Sequence, residues 1–128
     1  MSEPAFLLDS NICIYILEGL SPIVRHRIEA HQPGEVATSA IAYAEVMRGL
    51  APHDADAAAK TDALFAVVDV LPFDRRAAEA YSRFPFKRGG FDRLIGAHAL
   101  ALGLTLVTNN PRHFADVPAL RVENWTRS

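Results

Sequence analysis

A short apolar run, Phe6-Leu7-Leu8, stops at a carboxylate, Asp9, and a second apolar pattern begins directly behind it. The stretch reads as a buried strand that passes into a helix without a loop. Strands separated by helices return parallel to one another, and a parallel sheet needs helices on both faces. Whether the rest of the chain continues this alternation decides the fold. If it does, Asp9 stands at the carboxyl end of a strand, where open α/β sheets place their ligands. Asp is also a good N-cap, so Asp9 alone does not separate a cap from a functional group.

The alternation continues. A helix is expected over residues 11–18, with Gly19 as its stop. Ser21-Pro22 opens a second helix through Ile23, Val24 and Ile28, and Gln32-Pro33-Gly34 ends it. Residues 35–38 form a strand candidate, Ser39 caps a helix over 40–48, and Gly49 takes the position after its end. A helix over 54–65, a strand over 67–72 and a helix capped by Asp74 follow. After the loop 85–90, Phe91-Asp92 opens the most apolar helix, over 94–102, which Gly103 stops. Residues 104–108 are a β-branched apolar run and hence a buried strand. Asn109-Asn110-Pro111 is a turn, and a last strand spans 120–125. The expected fold is a single α/β domain over residues 1–128, three-layered α/β/α with a central, mostly parallel sheet.

Composition bounds the function. A chain of 128 residues, 50% hydrophobic and 22% charged, suits one soluble domain, able to bury about two-thirds of its unfolded surface. One cysteine excludes an internal disulfide and fits a reducing cytoplasm, the expected location. No apolar run reaches the roughly 20 residues of a membrane span, and no basic region leads a signal peptide. A net charge of −2 and a pI near 6.2 argue against a general nucleic-acid coat, but not against a local basic patch.

Two further carboxylates stand out. Glu45 lies in a helix that is apolar over most of its circumference, with the small residues Ala42 and Gly49 one turn either side on its face. A carboxylate buried there needs a cation, a donor or a metal. At an edge position it would instead reach solvent or pair with Arg48. Asp92 opens the apolar helix and would serve as an ordinary N-cap. Asn110, after the late strand, offers a neutral oxygen ligand or simply a turn. Carboxylates gathered at one sheet edge raise one another's pKa unless a cation joins them. Hard divalent ions with oxygen ligands, Mg2+ or Mn2+, relieve this and assist phosphoryl displacement.

The segments Leu7-Leu8-Asp9-Ser10-Asn11, Ser39-Ala40-Ile41-Ala42-Tyr43-Ala44-Glu45, Phe91 to Leu100 and Leu106-Val107-Thr108-Asn109-Asn110 occur in this order. Together they resemble the motifs of PIN-domain ribonucleases, and most of all the VapC toxins of bacterial toxin–antitoxin pairs. The tail Val117 to Trp125 is similar as well, so the resemblance spans essentially the whole chain. It implies a Mg2+-dependent endoribonuclease (Mn2+ substituting) with Asp9, Glu45 and Asp92 as catalytic and metal-binding acids. The substrate would be RNA, often tRNA, cut by metal-activated water, with translation and growth inhibited. It also implies a homodimer, a VapB-type antitoxin whose tail enters the active-site groove, and a hetero-oligomer with it. Operator DNA would be bound only through that antitoxin, since no helix-turn-helix is evident. Many PIN domains carry a fourth acid where Asn110 stands here. One Mg2+ held through Asp9 and Asp92, with any second ion weak, is the expectation. Ser10 stands where threonine is common and keeps a hydroxyl.

Candidate RNA contacts are Ser10 and Asn11, the cations Lys87, Arg88 and Arg93 near Asp92, and Arg112 with His113. Asp116 is expected to be a solvated loop residue, His98 a satisfied core histidine and Cys13 a small buried side chain. Tyr43, Phe84, Phe86 and Trp125 belong to the core or a dimer contact. Two other readings are a non-catalytic PIN-like module that binds RNA or a protein, and a phosphoacceptor domain built on Asp9. The latter lacks an acid beside Asp9 and a lysine after the late strand.

Overall fold

Five short strands form one sheet: β1 (Phe6–Leu8), β2 (Val36–Ser39), β3 (Asp69–Leu71), β4 (Thr105–Val107) and β5 (Val122–Glu123). Their order is β3-β2-β1-β4-β5, and every pairing is parallel. The computed structural model describes residues 3–87 and 90–127. Among these residues six helices connect the strands: α1 (Ser10–Leu17), α2 (Pro22–Glu29), α3 (Ala40–Gly49), α4 (Ala55–Val67), α5 (Arg75–Ser82) and α6 (Asp92–Leu102). A 3-10 turn, Pro111–Phe114, follows β4.

Strand alternation builds the three layers. Leu7, Ala37 and Leu106 face one side and pack with Ala80 and Phe84 of α5 and Ile95 and Ala99 of α6. Leu8, Val36 and Val107 face the other, against Ile12 and Cys13 of α1, Val24 of α2, Leu64 of α4 and Trp125. Leu7, Leu8, Leu106 and Val107 have no solvent exposure, which is worth about 2 kcal/mol for each side chain. This explains the uninterrupted apolar character of β1 and β4: each strand is covered on both faces.

Most element boundaries shift by a residue or two, and three of the shifts have a local cause. Val67 closes α4 instead of opening β3, and the Val68 amide still donates to the Leu64 carbonyl. Gly49 is the last helical residue of α3, because Leu50 turns directly into extended backbone and no left-handed cap forms. The final strand pairs only over Val122–Glu123; beyond it, Asn124 Oδ1 accepts from the Thr126 amide and turns the chain away. Gly103 does stop α6 in the left-handed conformation, φ 69°. Its amide reaches Leu100 O at 3.2 Å and the Leu104 amide reaches Ala99 O at 2.9 Å, the paired bonds that close a helix with glycine.

Strand order reverses at β1, which lies between β2 and β4. The crevice of such a sheet opens at the carboxyl ends of the strands where that reversal occurs. Asp9 follows β1 and Thr108 follows β4 at that point.

Candidate active site

Asp9 is both a cap and a buried acid. Its amide donates to Val107 O at 3.0 Å, which holds the residue against the end of β4. Its Oδ1 accepts from the Ile12 amide at 2.9 Å as the N-cap of α1. Only 5% of the residue is exposed. Burial pushes its carboxyl up to about 6; hydrogen bonds from the Thr108 hydroxyl and the Ile12 amide oppose the rise, and the charges of Asp92 and Glu45 add to it. Its neighbours' charges therefore reach Asp9 from two other elements, α3 and α6.

Glu45 is half-buried on α3, and its Oε1 is buried with no hydrogen-bond partner among the described residues. It lines an open groove of about 390 Å³ with Ile41, Ala44, Arg48 and Phe91. No ion pair joins it to Arg48 among the described residues. Asp92 is not the N-cap of α6. Phe91 holds that position and, among the described residues, no side chain caps the helix, so Asp92 sits inside the first turn. Its Oδ2 meets His113 Nδ1 at 3.2 Å instead.

Asn110 takes part in the same chain of contacts. Its backbone amide donates to Thr108 Oγ1 at 3.2 Å, and its side-chain Nδ2 lies 2.9 Å from His113 Nε2. Asn109 donates to the Tyr15 hydroxyl at 3.0 Å. His113, expected as an RNA contact, is thus also a partner of Asp92 and Asn110, a role the sequence reading did not assign to it. The available signal was its position three residues after Asn110, one turn along a 3-10 segment.

A hard cation fits the donor chemistry of Asp9, Asp92 and Glu45, and the partnerless Glu45 oxygen is an orphan that such an ion would satisfy. Among the described residues, however, no group of three or more His, Cys, Asp or Glu is already arranged to hold a metal. The acids influence Asp9 electrostatically without forming a closed cage.

The expected cations divide. Arg93 is corrected from an RNA contact to a buried structural residue, 5% exposed. Its guanidinium donates to Asp116 at 3.0 and 2.8 Å, to Pro85 O at 2.9 Å and to His113 O at 2.8 Å. It also lies near the rings of Phe84 and Phe114. Only its Nε lacks a partner among the described residues, and that atom is buried away from solvent. Asp116 is correspondingly an ion-pair partner and not a merely solvated loop acid; hydrogen bonds from Arg93 hold its carboxyl down at about 2.

Lys87 is exposed, 3.6 Å from Asp116 Oδ2, and Arg112 is exposed on the 3-10 turn. Arg88 lies outside the described residues. Ser10, half-buried, and Asn11, exposed, begin α1 beside Asp9. His98 is buried, with Nδ1 2.8 Å from Ser39 Oγ, and burial lowers its pKa. Cys13 is fully buried, and that burial pushes its thiol up to about 12. Of the aromatics, Trp125 and Phe84 are core residues, Tyr43 packs edge-on to Phe65, and Phe86 is 82% exposed.

A model of the PIN domain family matches residues 6–120. The tRNA(fMet)-specific endonuclease VapC of Shigella flexneri is 33% identical over 130 residues, covering 94% of this chain and 98% of the relative. Among solved structures, VapBC2 from Rickettsia felis bound to a DNA fragment from its promoter contains a chain 27% identical, with a TM-score of 0.84. That match covers 94% of this chain and 98% of the other. DNA-bound VapBC from Salmonella typhimurium gives 27% identity and a TM-score of 0.83 over 95% of this chain and 98% of that one. With its parallel sheet and Asp9 at the carboxyl end of β1, the chain belongs to the PIN domain family, in the VapC group of toxin–antitoxin ribonucleases.

Proposed function

We propose that this chain is a Mg2+-dependent endoribonuclease that cuts RNA, most readily tRNA, and so inhibits translation and growth. The observation that carries this reading is Asp9. Its carboxylate is buried at the sheet's crevice, and that burial, with smaller contributions from the charges of Asp92 and Glu45, pushes the carboxyl up to about 6, a rise that a bound cation would reverse. Asp9, Asp92 and Glu45 would hold Mg2+, with Mn2+ substituting. When bound, the ion supplies positive charge against an in-line phosphoryl displacement and a more acidic water.

The chain's own residues supply position. The Ile12 amide and Thr108 hydroxyl fix the Asp9 carboxylate. Asp92 is presented at the start of α6, and Lys87 and Arg112 are exposed cations for backbone phosphates. The specificity printed for the Shigella relative supports tRNA as the class of substrate. The VapBC complexes support a VapB-type antitoxin as partner, with operator DNA bound through it. A homodimer acting in the cytoplasm completes the reading.

The test is cleavage of bulk tRNA by the purified chain with Mg2+ or with EDTA, alongside Asp92→Asn. Cleavage that needs Mg2+ and falls at least about 100-fold in the variant is expected. Undiminished cleavage by Asp92→Asn refutes the assignment, and a parent that binds RNA without cutting it favours a non-catalytic module.

A further inference from the structure

Asp92 opens a helix that no side chain among the described residues caps. The first amides of α6 are therefore unpaired by any cap, and together with the positive end of the helix they attract a carboxylate. An Asp at this position with freedom to rotate would fold back onto them. Here its Oδ2 instead meets the His113 ring, Nδ1 at 3.2 Å.

His113 is itself held at three points. Its Nε2 lies 2.9 Å from the Asn110 amide nitrogen, and Arg93 donates to its backbone oxygen at 2.8 Å. Phe114, its neighbour, is buried against α6. A carboxylate facing Nδ1 requires a proton there, so Nε2 is the acceptor of the Asn110 side-chain N–H. The same Asn110 donates its backbone amide to Thr108 Oγ1, whose hydroxyl serves Asp9. One short segment, Thr108 to His113, thus touches both Asp9 and Asp92.

We propose that His113 is a positioning residue for the nuclease reaction: through Asn110 and Arg93 it is fixed so that its Nδ1–H turns the Asp92 carboxylate away from the α6 amides, leaving Oδ1 free for the ion or water of the site. The inference rests on the nuclease reading above. It assigns a role to His113 that no acid of the cluster supplies.

Two substitutions test it. His113→Leu removes the donor at a side chain that is 59% exposed, so the fold is retained. His113→Asn places an amide N–H where Nδ1 stands, at the same number of bonds from the backbone. For His113→Leu, kcat falls about 10-fold to 100-fold with KM nearly constant, and Mg2+ affinity measured by calorimetry weakens by a similar factor. The melting temperature stays at the parent value. For His113→Asn, both kcat and Mg2+ affinity recover to within about threefold of the parent. Parent-like kcat and Mg2+ affinity in His113→Leu overturn the proposal while leaving the nuclease reading intact, as does an Asn variant no better than Leu. A parent with no Mg2+-dependent cleavage overturns both.

Discussion

Replacing Asp9 with Asn should make the metal-free protein more stable while abolishing its activity. The carboxyl rises from 3.8 to about 6 on folding, so the folded state binds its proton more tightly than the unfolded state. Stability from this group is fully present below pH 4 and is lost as pH rises through 6. Two pKa units at about 1.4 kcal/mol each put the cost of ionised Asp9 at about 3 kcal/mol at pH 7. Asn removes the charge and keeps the cap, since its Oδ1 can still accept from the Ile12 amide. For a chain of this length that corresponds to a rise in melting temperature of about 10 °C. The assay is urea and thermal unfolding of parent and Asp9→Asn in EDTA at pH 7.5 and pH 4. A large gain at pH 7.5 that nearly vanishes at pH 4 is expected, and added Mg2+ should narrow the gap by stabilising only the parent. No gain at pH 7.5, or an equal gain at both pH values, refutes the reasoning.

Three further outcomes follow from the packing. Gly96→Ala places a Cβ 2.6 Å from the Phe114 ring, and should cost about 1–3 kcal/mol in urea unfolding while displacing the turn that carries His113. Arg93→Met leaves Asp116 and the Pro85 and His113 carbonyls without their donor, and a loss of about 3 kcal/mol is expected by the same measurement. Cys13, with no exposure and a thiol pushed up to about 12, should resist a disulfide reagent in the native state and react only at the rate of unfolding.

The sheet was legible because β1 and β4 are covered on both faces, and an uninterrupted apolar run is what such strands require. The convergence of the acids was legible for a topological reason: each lies at a strand end or on a helix that the parallel order brings to one edge. Arg93 was not. Its burial depends on Asp116, 23 residues later, and on a carbonyl eight residues earlier, and no local pattern distinguishes such an arginine from one that faces solvent. The end of α4 was equally hidden, since Val67-Val68 satisfies a helix and a strand alike until the Val68 amide is seen to reach back to Leu64. Asp9 shows a different limit. Cap and site were competing readings of the sequence, and the fold does not force a choice between them: one oxygen caps α1 while the buried carboxylate stands at the crevice.

The place of β1 between β2 and β4 also sets the order in which the crevice can exist during synthesis. Leu8 pairs with Thr38 on one side and with Val107 on the other, so Asp9 leaves the ribosome early but waits for nearly a hundred further residues before its second wall is made. Until then β1 is a sheet edge, and Asp9 lacks both the β4 carbonyl that holds its amide and the Thr108 hydroxyl beside its carboxylate. In a growing chain of this topology the surroundings of Asp9 are therefore completed only once Thr105–Val107 has been made and has paired with β1.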